Sequence, residues 1–185
     1  LYDDSERAMA AGSVAHAAIG NHIKGRKLTH EMEPSLDPTI YATARTAYEA
    51  FLRWAEMSKL ELVATEVSLV SDQLQYGGTI DAVAMINGEL SVLDWKASKA
   101  IYLEHLIQIS AYARLWECGR GAFPGVQEPG SIGAPVKAVH VVRLGKEYAD
   151  FHHHSWSGAV VAEAQDYFLD LLAAFRRGRK LAKAI

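Results

Sequence analysis

The chain holds one cysteine, Cys118, among its 185 residues. A single thiol excludes an internal disulfide framework. It also excludes a zinc or iron–sulfur site with four cysteine ligands, so no iron–sulfur cluster is expected. The same scarcity fits a reducing, cytoplasmic setting. No apolar run approaches the roughly 18 residues of a membrane span, and no segment reads as a signal peptide, so no membrane partner is expected. Basic charge is not in excess. Lys and Arg number 19 against 22 Asp and Glu, a net charge of −3 that argues against a general nucleic-acid coat. There is no Gly-x-x-x-x-Gly-Lys-Ser/Thr phosphate loop, no internal repeat and no low-complexity tract.

What is present suits one globular domain over 1–185, with an apolar content of 50% that is enough for a substantial core. Residues 5–24 are alanine-rich and read as a helix ending near Gly25. Residues 28–38, with Pro34 and Pro38, read as a loop. Asp37-Pro38 then reads as an N-cap followed by proline at the first helical position. The helix it opens runs to about Met57, with Ile40, Ala44, Ala47, Phe51 and Trp54 on one stripe. Strand signals follow over Leu60–Val70, Gln73–Ile86 and Glu89–Lys96, then a helix over 102–118. Glycine and proline crowd 119–135 into a surface loop. Two strands, Val136–Leu144 and Tyr148–His154, precede a last helix over about 157–181. Its apolar stripe is Val160, Ala164, Tyr167, Phe168, Leu171, Leu172 and Phe175. Tight turns make neighbouring strands antiparallel, and the helix after Lys96 permits a crossover to a parallel one. The expectation is an α/β fold of mixed α+β type, with a central mixed sheet of about five strands flanked by helices.

The densest chemistry lies in Asp81-Ala-Val-Ala-Met-Ile-Asn87-Gly88-Glu-Leu-Ser-Val-Leu-Asp94-Trp-Lys96. Asn-Gly between two β-rich runs predicts a type I′ hairpin, because both residues tolerate positive φ. Ile86 then faces Glu89 and, stepping outward, Asp81 faces Asp94. Opposed side chains have Cβ atoms roughly 4.5–5.5 Å apart, so the two carboxylates repel unless something positive lies between them. A divalent metal is the usual partner. Lys96 is two residues past Asp94 and shares its face. On the residues alone, a surface acid at Asp81 and an Asp94–Lys96 ion pair are the bland alternatives. The arrangement suits metal-assisted phosphodiester hydrolysis. The carboxylates and the Trp95 carbonyl would supply hard oxygen ligands to Mg²⁺ or Mn²⁺, and Lys96 would orient or deprotonate the attacking water.

These residues resemble the PD-(D/E)XK nuclease superfamily in its RecB-like exonuclease branch. The resemblance is carried by Gly78-Thr-Ile-Asp81, by Val92-Leu-Asp94-Trp-Lys96-Ala-Ser98, by Gln108-Ile-Ser-Ala-Tyr112, and upstream by Gly12-Ser-Val-Ala-His16, all in the family's order. It spans roughly residues 10–116. It implies a restriction-endonuclease-like core, with Asp81 and Asp94 as metal-binding acids and Lys96 as the catalytic lysine. His16 matches a histidine that adds a metal ligand, although alone it reads as a histidine on an alanine-rich helix. Gln108 and Tyr112, one helical turn apart, match a pair that contacts nucleic acid. Glu66, in the strand before Asp81, matches a further acid of the metal shell, with an exposed strand glutamate as its alternative. Lys99, Glu104 and His105 lie near the site helix, and Lys99 is counted with the nucleic-acid contacts.

The function implied is a stand-alone, cluster-free, Mg²⁺- or Mn²⁺-dependent DNA exonuclease of recombination, repair or phage DNA processing, working with DNA and with a recombination partner protein. Two rivals stand beside it: a non-catalytic nucleic-acid-binding module on the same fold, and a structure-specific endonuclease. His152, His153 and His154 alternate faces if they are in a strand, so they read as strand edge or surface rather than one metal site. The basic runs Lys24, Arg26, Lys27 and Arg176, Arg177, Arg179, Lys180, Lys183 read either as solvated helix ends or as phosphate contacts.

Overall fold

A computed structural model describes residues 4–24, 37–118 and 133–184. Gly25, the loop before Asp37 and most of the 119–135 loop lie outside the described residues. The elements run α1 (Asp4–Ile23), α2 (Pro38–Ser58), β1 (Glu61–Ser71), β2 (Tyr76–Ile86), β3 (Glu89–Lys96), α3 (Leu103–Cys118), β4 (Ala138–Leu144), β5 (Phe151–Ser157) and α4 (Ala159–Ala182). The five strands form one sheet in sequence order. β3 and β4 are parallel across the α3 crossover, and all other neighbours are antiparallel. This is the mixed sheet flanked by helices that the sequence predicts.

Local signals set several boundaries. The Asp37 carboxylate accepts the Thr39 N–H at 2.8 Å, with Pro38 next in line, and so caps α2. Lys59 closes that helix in the left-handed region at φ 47. Asn87 and Gly88 take φ 53 and 81, which turns β2 into β3 as the Asn-Gly pair demands. Two predicted strands shift. A turn occupies 72–75, so β2 begins at Tyr76. β5 begins at Phe151, because the Gly145 N–H bonds the Asp150 carbonyl at 2.7 Å and closes the connection there.

Each sheet face has its own core. On one face α1 and α2 set Ile19, Phe51 and Trp54 against Ala82, Leu93, Trp95 and Val142. On the other, α3 sets Ile109, Leu115 and Trp116 against Val67, Ile80, Val92 and Val141. Fully burying each large side chain stabilises the fold by about 1.5–3 kcal/mol. Of the apolar stripe on α4 only Ala164 is buried. Because β3 is central, its last residues emerge between α1 and α3.

Candidate active site

Alternation along β3 sends Asp94 and Lys96 to the α3 face and the Trp95 ring to the other. There the Trp95 ring meets Phe51 and Trp54 edge-on, each at a centroid distance of 5.2 Å. The Lys96 ammonium donates to Asp94 Oδ1 at 3.0 Å and to Gln108 Oε1 at 2.7 Å. Gln108 Nε2 in turn donates to the Tyr112 hydroxyl at 3.2 Å. Acid, lysine, amide and phenol thus form one line from β3 to α3. Gln108 and Tyr112 are both half-buried and join this line.

Asp81 joins from β2. The β2–β3 pairing has the predicted register from Ile86–Glu89 to Ala82–Leu93 and ends there, one step short of Asp81 and Asp94. Like charges set directly opposite destabilise a pair. Beyond the ladder, Asp81 Oδ2 accepts the Trp95 N–H at 3.0 Å and lies 3.5 Å from His16 Nδ1. Asp81 also interrupts the β1–β2 ladder. Pairing skips Asp81 and Glu66 and resumes without slippage between Val67 and Ile80. Glu66 takes φ 49, and the flanking residues Ile80 and Ala82 pack into opposite cores. Such irregularities re-aim a side chain.

The electrostatics follow from this crowding. Asp94 is 3% exposed. Burial first, then the charge of Asp81, pushes its carboxyl up to about 6, against the opposing pull of Lys96 and His16. Its Oδ2 is buried and lies 2.8 Å from the Lys96 nitrogen, yet has no well-directed hydrogen bond. For His16, burial favours the neutral ring, but the Asp81 hydrogen bond and the charges of Asp81 and Asp94 outweigh it and hold the pKa above its ordinary value. Tyr112 is raised by burial and then by the two aspartates. Two repelling carboxylates and an orphaned buried oxygen fit a hard divalent cation. Among the described residues, no three His, Cys, Asp or Glu side chains converge into a ready-made cage, so His16, Asp81 and Asp94 do not form one by themselves.

Glycine makes the approach of α3 feasible. A Cβ on Gly78 would lie 2.5 Å from Tyr112 Cε1, so the phenol ring rests on bare β2 backbone. Glu66 stands apart from this line. It pairs with Lys24 and lies beside Gly20, where a Cβ would sit 2.7 Å from its Oε1. Lys99 lines a separate cavity of about 540 Å³ with Arg143 and Lys146. His105 accepts the Tyr102 N–H at 3.2 Å at the start of α3, and burial and then Lys96 lower its pKa.

β5 is an edge strand, as the three histidines suggest, with His152, His153 and His154 all exposed. His153 nonetheless meets the Trp54 ring and bonds His140 at 2.8 Å. The sequence reading passes over buried His140, which also bonds Ser91 at 3.2 Å; its strand neighbours gave no local signal. It also passes over Tyr76, which lines a cavity with Gln108 and Tyr112. The aromatic before Gly77-Gly78 was the available cue.

No protein-family model matches the chain, and no curated protein matches its sequence. Among solved structures it is similar to SSO0001, at 11% identity and a TM-score of 0.37, over 88% of this chain and 73% of that one. It is similar to LHK-Exo in complex with dAMP at 13% identity and a TM-score of 0.40, over 92% and 85% of the two chains. The alkaline exonuclease LHK-Exo from Laribacter hongkongensis gives 12% identity and a TM-score of 0.39, over 92% and 84%. Likenesses of this depth assign neither a family nor an activity.

Proposed function

We propose that this chain is a metal-dependent DNA nuclease of the PD-(D/E)XK kind, acting as a RecB-like exonuclease. The observation that carries the reading is buried Asp94, raised to about 6 by burial and Asp81 and joined to a lysine that Gln108 aims. A carboxylate kept in so unfavourable a place costs stability, and perturbed acids of this kind concentrate at functional sites. Asp81 and Asp94, with the Trp95 carbonyl and His16, would hold Mg²⁺ or Mn²⁺. The bound ion would polarise the phosphate and activate water. Lys96 orients that water or offsets charge developing on the phosphate. Gln108 fixes the ammonium, and Tyr112 with Gln108 positions the DNA strand. Glu66 would enter the metal shell after releasing Lys24, and Lys99 would contact DNA from the neighbouring cavity. A cytoplasmic role in recombination, repair or phage DNA processing, with a recombination partner, completes the reading.

A non-catalytic module is the second reading. It is favoured by the contact that ties Lys96 to Asp94 and by the lack of three converging ligands among the described residues. Calorimetry with Mn²⁺ separates the two. The nuclease reading expects binding that is lost in Asp81→Asn and Asp94→Asn. Absence of binding by the unaltered chain favours the module.

A further inference from the structure

α4 is a 24-residue helix with one buried residue, and its two sides differ in charge. At 100° per residue, Phe168, Leu171, Leu172, Phe175 and Arg179 fall on one stripe, with Arg176 and Lys183 along one edge of it. Glu163, Asp166 and Asp170 fall on the opposite side, together with Arg177. The basic stripe faces the β1–β2 turn. Arg176 donates to the carbonyls of Leu74 and Gln75 at 2.7 and 2.6 Å, and the Tyr76 ring meets Phe168 at 4.8 Å.

Two cavities open along this seam. One of about 430 Å³ is lined by Gln75, Phe175, Arg179, Lys180 and Lys183 among others, and no acid among the described residues borders it. The other, of about 390 Å³, continues past Tyr76, Phe168 and Leu171 to Gln108 and Tyr112, with Glu104 at its rim. Their linings have no residue in common but come next to each other in the chain at Gln75–Tyr76 and at Leu171–Leu172. Phe175 is 61% exposed, and the Arg179 guanidinium lies 5.8 Å from its ring centre.

We infer that this seam is a track for a single nucleic-acid strand, running from the basic end of α4 to the Gln108–Tyr112 end of the candidate active site. A cationic groove on a chain of net charge −3 calls for a polyanion. The exposed Phe175 ring among the cations calls for an exposed base face, which a single strand offers and a duplex hides. From Phe168 to Lys183 the helix rises about 22 Å, long enough to follow several nucleotides of an extended strand. The inference rests on the nuclease reading for its destination, though not for the binding itself.

The test is fluorescence anisotropy of labelled (dT)20 and of a matched duplex, in EDTA so that nothing is cut. The triple substitution Arg179→Ala, Lys180→Ala, Lys183→Ala is expected to weaken (dT)20 binding roughly tenfold or more. It should also reduce the slope of log K against log salt by about 2, at roughly 0.7 per lost phosphate contact. Phe175→Ala is expected to weaken it about tenfold without changing that slope. Arg179→Lys, with Lys180 and Lys183 retained, should bind near wild type. Hydrolysis of a nitrophenyl ester of thymidine monophosphate should be unchanged in the triple variant, while KM for long strands rises. Wild-type affinity and slope in the folded triple variant would overturn the track. So would preference for the duplex, equal competition by polyglutamate, or a dimer that the substitutions dissociate. A chain that binds through the seam but cleaves nothing with either metal would sink the nuclease reading and leave the track standing.

Discussion

Lys96 donates a 2.7 Å hydrogen bond to Gln108, so a lysine on the central strand is aimed by a residue of the crossover helix. The relationship separates two roles. Lys96 faces the acids, and Gln108 fixes where its charge sits. Gln108→Ala frees the ammonium while leaving its charge. The expected result is a kcat on DNA lower by about 10- to 100-fold, because misplacement of one catalytic group by an ångström costs on that order. Steady-state kinetics with the variant's fold verified by circular dichroism checks it.

Asp94 gives a stability prediction opposite in direction to its effect on activity. Its folded pKa is raised, so the unfolded chain holds the ionised form more easily. The stability it contributes is therefore full below its ordinary pKa and falls as pH rises toward about 6. Asp94→Asn removes that penalty and the repulsion from Asp81. Urea unfolding without metal should find the variant more stable than wild type at pH 8, by about 2–3 kcal/mol, with little difference at pH 4. Its nuclease activity should fall at least 10²–10³-fold, roughly as for loss of a key electrostatic group.

His140 carries the reverse sign. Burial and then His153 lower its pKa to about 4, so its contribution is present above the ordinary value and lost as pH falls through about 4. Its window overlaps that of Asp94, and only single variants separate them. His140→Gln should flatten the acid limb of the stability curve between pH 6.5 and 4 and leave DNA cleavage near wild type. Urea unfolding across that range measures it.

Gly78 and Tyr112 should be coupled. Gly78→Ala drives a Cβ into the phenol ring and should cost about 1–3 kcal/mol of stability together with activity. Removing the ring relieves the clash, so the double variant Gly78→Ala, Tyr112→Ala should be less destabilised than the sum of the single changes. Strict additivity would show that the ring does not rest on Gly78.

These residues also mark how far local reasoning reaches. The Asp37 cap and the Asn87-Gly88 turn obey backbone rules confined to a few residues, and both stand as the sequence predicts. The turn then fixes the register that carries Asp81 toward Asp94. Helical spacing places Gln108 and Tyr112 on one side of α3, but only the packing of α3 on β3 aims Gln108 at Lys96. Glu66 is turned by its positive φ toward α1, a conformation no propensity anticipates for glutamate. His140 acquires its partners from β5 and β3, far apart in sequence. The stripe on α4 has one pattern whether it is covered or open, so its exposure is set by the tertiary fold alone.

The central claim is that Asp94 and Lys96 form the working centre of a metal-dependent nuclease that needs a DNA end. The most direct measurement is digestion of end-labelled single-stranded, duplex and closed-circular DNA, with Mg²⁺, Mn²⁺ or EDTA, by wild type, Asp94→Ala and Lys96→Ala. The account predicts that wild type degrades linear DNA only with a metal, leaves closed circles intact, and that both folded variants are inactive. Cleavage by either variant at the wild-type rate, or no cleavage by wild type with either metal, would contradict it.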